Sequence, residues 1–392
     1  MRLRHALERA GESTAFITVT AERALREAGA SGPLRGKLLA WKDVFDVAGT
    51  RTTAGSATRS AAPVATEDAP VVRKVTAAGG ICLGKTTLSE FAFTGLGLNP
   101  HFGDPVNPLD PLRIPGGSSS GSAVAVAARI ADIAIGTDTS GSTRVPAACC
   151  GIVGFRASAN RYDLTGMVPL SPGLDSIGIL ARTIGDVLAA DAAMRGRRAT
   201  AGAGDLRIVV PDGELVDDCH PDVRAAFHAA LSGLEVRCVR LAALEEAQRL
   251  LDEHGPLVAA DAWRRYGHLR DTPGVDPLVL RRLRPPSGEA ELRAAQARLR
   301  GQLARELEGA VLAFPTIRDP VPEVAPLKAD LDLAEAVNRR ILRSTMLASY
   351  LGLPGITLPG GLLVSLPDGQ DDRLLAVAGV LETRRTSCPT PL

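Results

Sequence analysis

Two loops rich in glycine and serine carry the residues most able to do chemistry. They are Gly116-Gly117-Ser118-Ser119-Ser120-Gly121-Ser122 and Gly136-Thr137-Asp138-Thr139-Ser140-Gly141-Ser142, with Ser118 and Ser142 separated by 24 residues. Serine brings a hydroxyl that donates, accepts or attacks. Glycine lets backbone N–H groups approach a ligand closely. The first loop runs into Ala123-Val124-Ala125-Val126-Ala127-Ala128, which reads as a buried helix, and the strand-like Ile133-Ala134-Ile135 leads into the second. A flexible linker has no such continuation, so the pair reads as a site. Either loop alone is an ordinary turn.

A third residue adds weight. Only five of the 45 basic residues are lysines, at positions 37, 42, 74, 85 and 328. Arginine keeps its proton in a protein, whereas a buried lysine can lose it. Lys42 stands inside the apolar run Leu38-Leu39-Ala40-Trp41-Lys42-Asp43-Val44-Phe45, where a titratable amine is the reason to keep a lysine. Lys37, Lys74 and Lys328 read as lysines that survive the bias without a role.

On these residues the chain resembles the amidase signature family of serine hydrolases. GGSSSGS is followed by GTDTSGS and then by RVPAACCGIVGFR from Arg144, and Lys42 lies upstream where that family keeps its catalytic lysine. The resemblance also covers Ala69 to Phe93, Val168 to Arg182 and, more loosely, Val311 to Gly361. It implies Ser142 as nucleophile, Ser118 as bridging serine after a cis Gly117–Ser118 peptide, and Lys42 as base. Backbone N–H groups of Thr139, Ser140, Gly141 and Ser142 are the expected oxyanion hole, aided by a helix N-terminus. Gly117, Ser119, Asp138 and Arg144 are expected to support the loops, with Ser122 as a further hydrogen bonder. To accept a proton Lys42 must be neutral, against a free-lysine value of ~10.4, and its apolar flanks fit the burial this demands.

The activity implied is hydrolysis of a small-molecule carboxylic amide to acid and ammonia, with no cofactor and no metal. Three alternatives stay open: a glutaminase-like amidotransferase subunit, a non-catalytic amidase-like binding protein, and a Ser-His-Asp α/β-hydrolase. The last arises because Gly117-Ser118-Ser119-Ser120-Gly121 also fits the G-x-S-x-G elbow, which would make Ser119 the nucleophile and call on one of the histidines at 220, 228, 254 or 268. Gly79 to Thr86, GGICLGKT, fits the P-loop pattern. Its central residues read as a strand rather than a phosphate cradle, so Lys85 is expected to be structural. Two features depart from the family: Ser140 where a glycine is common, and an unusual C-terminal segment. Phe91 to Phe102 is a candidate wall for the acyl group, in a chain with 3% aromatics, or else simply core.

Composition narrows the setting. With 45 basic and 44 acidic residues the formal net charge is +1, which gives no electrostatic case for nucleic acid or an anionic membrane. Hydrophobic residues make up 45% and mean hydropathy is +0.08, as in a globular protein. No apolar run is long enough to span a bilayer, and the N-terminus has no secretory h-region. The six cysteines, at 82, 149, 150, 219, 238 and 388, form no CxxC pair and read as reduced thiols of a cytoplasmic protein. The expected partner is an amide substrate, with a homodimer among the assemblies open to the chain.

The elements that must position these residues alternate between strand and helix patterns. They predict an α/β protein: one large domain over 1–392, with a mixed, mostly parallel sheet covered by helices on both faces. The catalytic core is placed at about 30–190 and 311–365. Residues 191–310 read as a helical excursion over the sheet, and 366–392 carry the weakest signal. Leu38 to Val47 reads as a strand delivering Lys42, Thr87 to Phe93 as a helix start, and Asn338 to Tyr350 as a helix.

Overall fold

The computed structural model describes residues 1–387. Eleven strands among them join one sheet: β1 (Phe16–Val19), β2 (Leu38–Lys42), β3 (Ile81–Thr86), β4 (Ile133–Thr137), β5 (Val153–Arg156), β6 (Ile177–Ala181), β7 (Ile208–Pro211), β8 (Val236–Val239), β9 (Val311–Pro315), β10 (Gly355–Thr357) and β11 (Leu362–Ser365). Their order is β1-β3-β2-β4-β6-β5-β10-β11-β9-β7-β8. The sheet is mixed, as expected, but it is not mostly parallel. Only β2–β3, β2–β4, β7–β8 and β7–β9 run parallel, and the other six pairings are antiparallel. The physical reason is visible at β10 and β11, joined by the short turn 358–361, because a short connection can only return the chain antiparallel.

Side chains alternate across each strand, and that alternation separates two environments. Leu39, Trp41, Ile133, Ile135, Ile177 and Ile179 face the larger core, together with Val71 and Val75 of the Pro70–Ala77 helix and Ile184 and Val187 of the Ile184–Arg195 helix. Leu38, Ala40, Ala134 and Leu180 face the other way, against the Ser120–Ala127 helix that buries Ala123 to Val126. Small residues here let that helix lie close to the sheet. Lys42 shares the parity of Leu38 and Ala40, so β2 aims it at the face where the first serine loop sits.

Several expectations are corrected. Within 191–310, Leu206 to Val210 reads as a strand and β7 forms there, but β8 joins it to extend the sheet edge, so the segment is not only a helical cover; its helices include Ala242–His254, Leu257–Tyr266 and Glu289–Leu307. The β8 residues are too short and too exposed a run to show a period. Thr87 to Phe93 yields only the 3-10 turn Glu90–Ala92, with Phe91 at φ 51, ψ 21. In the C-terminal segment a helix, Asp371–Ser387, buries Leu374, Leu375, Val377 and Ala378. Cys388 and the end of that segment lie outside the described residues. The five described cysteines are free. No helix among the described residues is long and apolar enough to cross a membrane.

GGICLGKT is built as the strand its central residues suggested, since β3 takes Ile81–Thr86. Lys85 pairs with Asp43 at 2.6 Å, both side chains fully buried. Its Nζ also donates to Arg51 O and Thr52 Oγ1, each at 2.9 Å, while Asp43 accepts from Thr53 N at 3.0 Å. The pair therefore pins the turn that follows the strand carrying Lys42. Removing one partner of a buried ion pair strands the other charge in a medium that cannot solvate it. Lys85→Met is expected to lower the unfolding free energy by about 3–5 kcal/mol in a urea titration; a loss below about 1 kcal/mol would contradict the role given to the pair.

Candidate active site

Three segments bring the chemistry together. Strand β2 ends at Lys42, the first serine loop leads into the Ser120–Ala127 helix, and the second leaves β4 and enters the short Arg144–Cys149 helix. The two loops touch through Ser119 N, which donates to Ser142 O at 3.1 Å. Their approach requires Gly136, where a Cβ would come within 2.6 Å of Ser119 Oγ. Gly141 has φ +130, and a Cβ there would lie 2.1 Å from Thr345 Oγ1. Glycine is needed at both positions, in the second also for its backbone angle.

The structure places Lys42 Nζ 2.7 Å from Ser118 Oγ and 2.7 Å from Thr137 Oγ1. The Gly117–Ser118 peptide is cis. Lys42 and Ser118 are fully buried, and Ser142 is 5% exposed. Burial pulls the Lys42 ammonium down to about 7, against the opposing charges of Asp138 and Asp175. A lysine poised there exchanges its proton near neutral pH. Thr137 was not singled out from the sequence. Its signal was present, as a polar residue within GTDTSGS at the end of the strand that pairs beside β2 in the register Trp41↔Ile135.

Asp138 organises the second loop. Its carboxylate accepts from Gly141 N at 2.7 Å, Thr143 N at 3.1 Å and Arg144 N at 3.3 Å. Arg144 grips it through Nε at 3.0 Å and Nη2 at 2.9 Å, and Arg156 lies 3.5 Å away. Burial alone would raise the Asp138 carboxyl, but Arg144, Arg156 and the Thr143 N–H outweigh it and hold it below the usual carboxylate range.

This arrangement engages part of the loop expected to form the oxyanion hole. The Gly141 N–H is spent on Asp138, and so is the N-terminus of the Arg144–Cys149 helix, because that carboxylate occupies it. Thr139, Ser140 and Ser142 remain, and among the described residues their N–H groups have no hydrogen-bond partner. Buried donors rarely stay unpaired, and these three lie together at Ser142. Ser140 is held by its carbonyl, which accepts from Thr345 Oγ1 at 2.6 Å. Thr345 belongs to the Leu331–Tyr350 helix, where Arg144 also donates to Thr345 O at 3.1 Å and Ser349 Oγ at 2.7 Å. Nothing local in the sequence marks Thr345 or Ser349.

Ser119 is tied to the end of β4. Its hydroxyl donates to Thr137 O at 3.3 Å, and no histidine among the described residues hydrogen-bonds it. Ser122 bonds Thr86 at 2.7 Å. Of the proposed aromatic wall, Phe91 and Phe93 are buried and pack on Tyr266, with ring centroids 5.0 and 5.6 Å away. Phe91 takes its left-handed backbone where its N–H donates to Ala54 O at 2.8 Å, and Ala54 itself has φ 53. Strained residues of this kind gather at functional sites.

The Amidase family model matches residues 3–369. The chain is 35% identical over 354 residues to a 2-amino-5-chloromuconic acid deaminase of Comamonas testosteroni, covering 84% of this chain and 76% of the relative. Among solved structures it is similar to an amidase, at a TM-score of 0.85 and 32% identity over 98% of this chain and 95% of the other. It is also similar to a chain from a vestigial protein complex described for the evolutionary origins of an s-triazine catabolic enzyme, at a TM-score of 0.86 and 25% identity over 97% and 94%. A match across nearly the whole length, together with a relative of this identity along most of both chains, shows that the chain belongs to the Amidase family of hydrolases acting on amide carbon–nitrogen bonds.

Proposed function

We propose that the protein hydrolyses a small-molecule carboxylic amide through an acyl-enzyme on Ser142, with Ser118 and Lys42 as the proton relay. The observation that carries this reading is the fully buried Lys42–Ser118 hydrogen bond of 2.7 Å, beside a serine loop with three N–H groups that have no hydrogen-bond partner among the described residues. Neutral Lys42 takes the proton of Ser118, Ser118 takes that of Ser142, and the Ser142 oxygen attacks the carbonyl carbon. The developing oxyanion is met by the N–H groups of Thr139, Ser140 and Ser142, a contact whose loss typically costs about 10²–10³ in rate. Collapse breaks the carbon–nitrogen bond, and the proton held by Lys42 returns through Ser118 to the leaving nitrogen. Water then cleaves the ester, the relay running the same way, to release the acid.

Phe91, Phe93 and Tyr266 belong to the larger hydrophobic core, which favours the reading of these aromatics as core. The four buried cysteines, free as thiols, support a cytoplasmic setting.

A serine-reactive fluorophosphonate followed by peptide mapping tests the assignment without knowledge of the substrate. Label is expected on Ser142, to be absent in Ser142→Ala, and to form at least about a hundredfold more slowly in Lys42→Ala and Ser118→Ala. Label on another serine, or full labelling without Lys42, would refute it. The labelling rate is expected to climb with pH through about 7 and then level, because Lys42 acts as the base in its neutral form and loses its proton there.

The same residue shapes stability. Unfolded, the amine titrates near 10.5; folded, near 7. Between those values the unfolded chain holds a proton that the folded chain lacks, so stability contributed by this site rises as pH increases from about 7 towards about 10.5. Lys42→Met removes that term. The difference in melting temperature, variant minus wild type, is expected to shrink as pH rises across that interval; a difference independent of pH would contradict burial of the charged amine.

A further inference from the structure

Asp175 belongs to the stretch between β5 and β6 and has no assigned part in the reaction described above. It is 3% exposed. Its carboxylate accepts from Thr139 Oγ1 at 2.6 Å, Leu170 N at 2.9 Å and Ser171 N at 3.0 Å. All three donors are neutral, and among the described residues no guanidinium hydrogen-bonds this carboxylate, unlike Asp138. A buried charge of this kind is costly unless the surroundings use it.

What it holds is the first residue of the oxyanion loop. Next to it, Asp138 and Ser176 exchange backbone hydrogen bonds at 2.8 and 3.2 Å, which fixes the stretch alongside the nucleophile loop. The far side of the same stretch is tied to the 191–310 segment. Ser171 Oγ donates to Asp261, and Tyr266 OH donates to Pro169 O at 2.6 Å. Both partners lie on the Leu257–Tyr266 helix.

We propose that Asp175 is a positioning residue for amide hydrolysis, holding Thr139 and the oxyanion loop through its carboxylate and acting on Lys42 through its charge. The inference rests on the roles proposed above for Ser142 and Lys42. The charged groups around Lys42 are few. Asp138 and Asp175 both favour its protonated form. Arg144 and Arg156 are engaged by Asp138, Arg156 also feels Asp175, and the neighbouring Asp43–Lys85 pair is internally neutral. Burial pushes the Asp175 carboxyl up, while the Thr139, Leu170 and Ser171 hydrogen bonds and Lys42 oppose it. Removing the Asp175 charge leaves Lys42 with one carboxylate fewer and so a weaker hold on its proton.

The test is the fluorophosphonate labelling rate of Ser142 in the full chain, followed across pH for wild type, Asp175→Asn, Thr139→Val and Thr139→Ser. Asp175→Asn is expected to move the acid limb of the profile to lower pH by about half a unit or more and to lower the plateau rate at least about tenfold. An amide in that place presents an N–H₂ group to donors. Thr139→Val, lacking the donated hydroxyl, is expected to lower the plateau at least about tenfold, with Thr139→Ser restoring it to within about threefold of wild type. A purely structural Asp175 would lower the rate and leave the limb in place, which overturns the proposal. Should Asp175→Asn fail to fold, a Thr139→Val profile equal to wild type overturns it equally. Wild type unlabelled at Ser142 would instead refute the reading beneath it.

Discussion

The structure depends on the cost of keeping one amine away from water. A buried ammonium is so poorly solvated that it gives up its proton, and Lys42 is sealed completely. The sheet makes that seal possible. One face of β2, β4 and β6 carries bulky side chains and anchors the larger core, while the other carries Ala40, Ala134 and Gly136. The Ser120–Ala127 helix and its preceding loop can then lie directly over Lys42, with Ser118 and Thr137 as its hydrogen-bond partners.

Burial accounts for the state of the amine, and it does so against the buried carboxylates of Asp138 and Asp175, which favour its protonated form. Asp138 is engaged in turn by the buried guanidiniums of Arg144 and Arg156. That cluster also ties distant parts of the chain to the site. Arg144 reaches the Leu331–Tyr350 helix, and Thr345 on that helix holds the carbonyl of Ser140. The loop that carries Ser142 is thus shaped by a helix some 200 residues further along, the Arg144–Thr345 separation being 201.

Much of this was legible beforehand, for identifiable reasons. The rarity of lysine made Lys42 conspicuous, and the paired loops carried Ser118 and Ser142 at recognisable spacing. Strand character inside GGICLGKT separated Lys85 from phosphate binding. Partnership is what the sequence does not display: the Asp138 carboxylate takes the helix N-terminus beside Ser142 along with the Gly141 N–H. Parallel pairing was overestimated because alternating strand and helix patterns do not reveal which connections are hairpins. Thr137 lay in plain view within a motif already singled out. Asp175 lay in a stretch noted only for its resemblance.

The sequence by itself determined the reactive groups, their order and the local geometry open to them, because those follow from side-chain chemistry and from spacing along a few neighbouring residues. It also determined which strand residues alternate between the two faces. Only the tertiary structure decided which donors are left unpaired, which carboxylate meets which guanidinium, and how far Lys42 is removed from water. Hydrogen bonds are settled by contacts at about 3 Å, and desolvation by everything packed around a group. The residues that supply both here, from Asp43 to Ser349, are joined only by the fold.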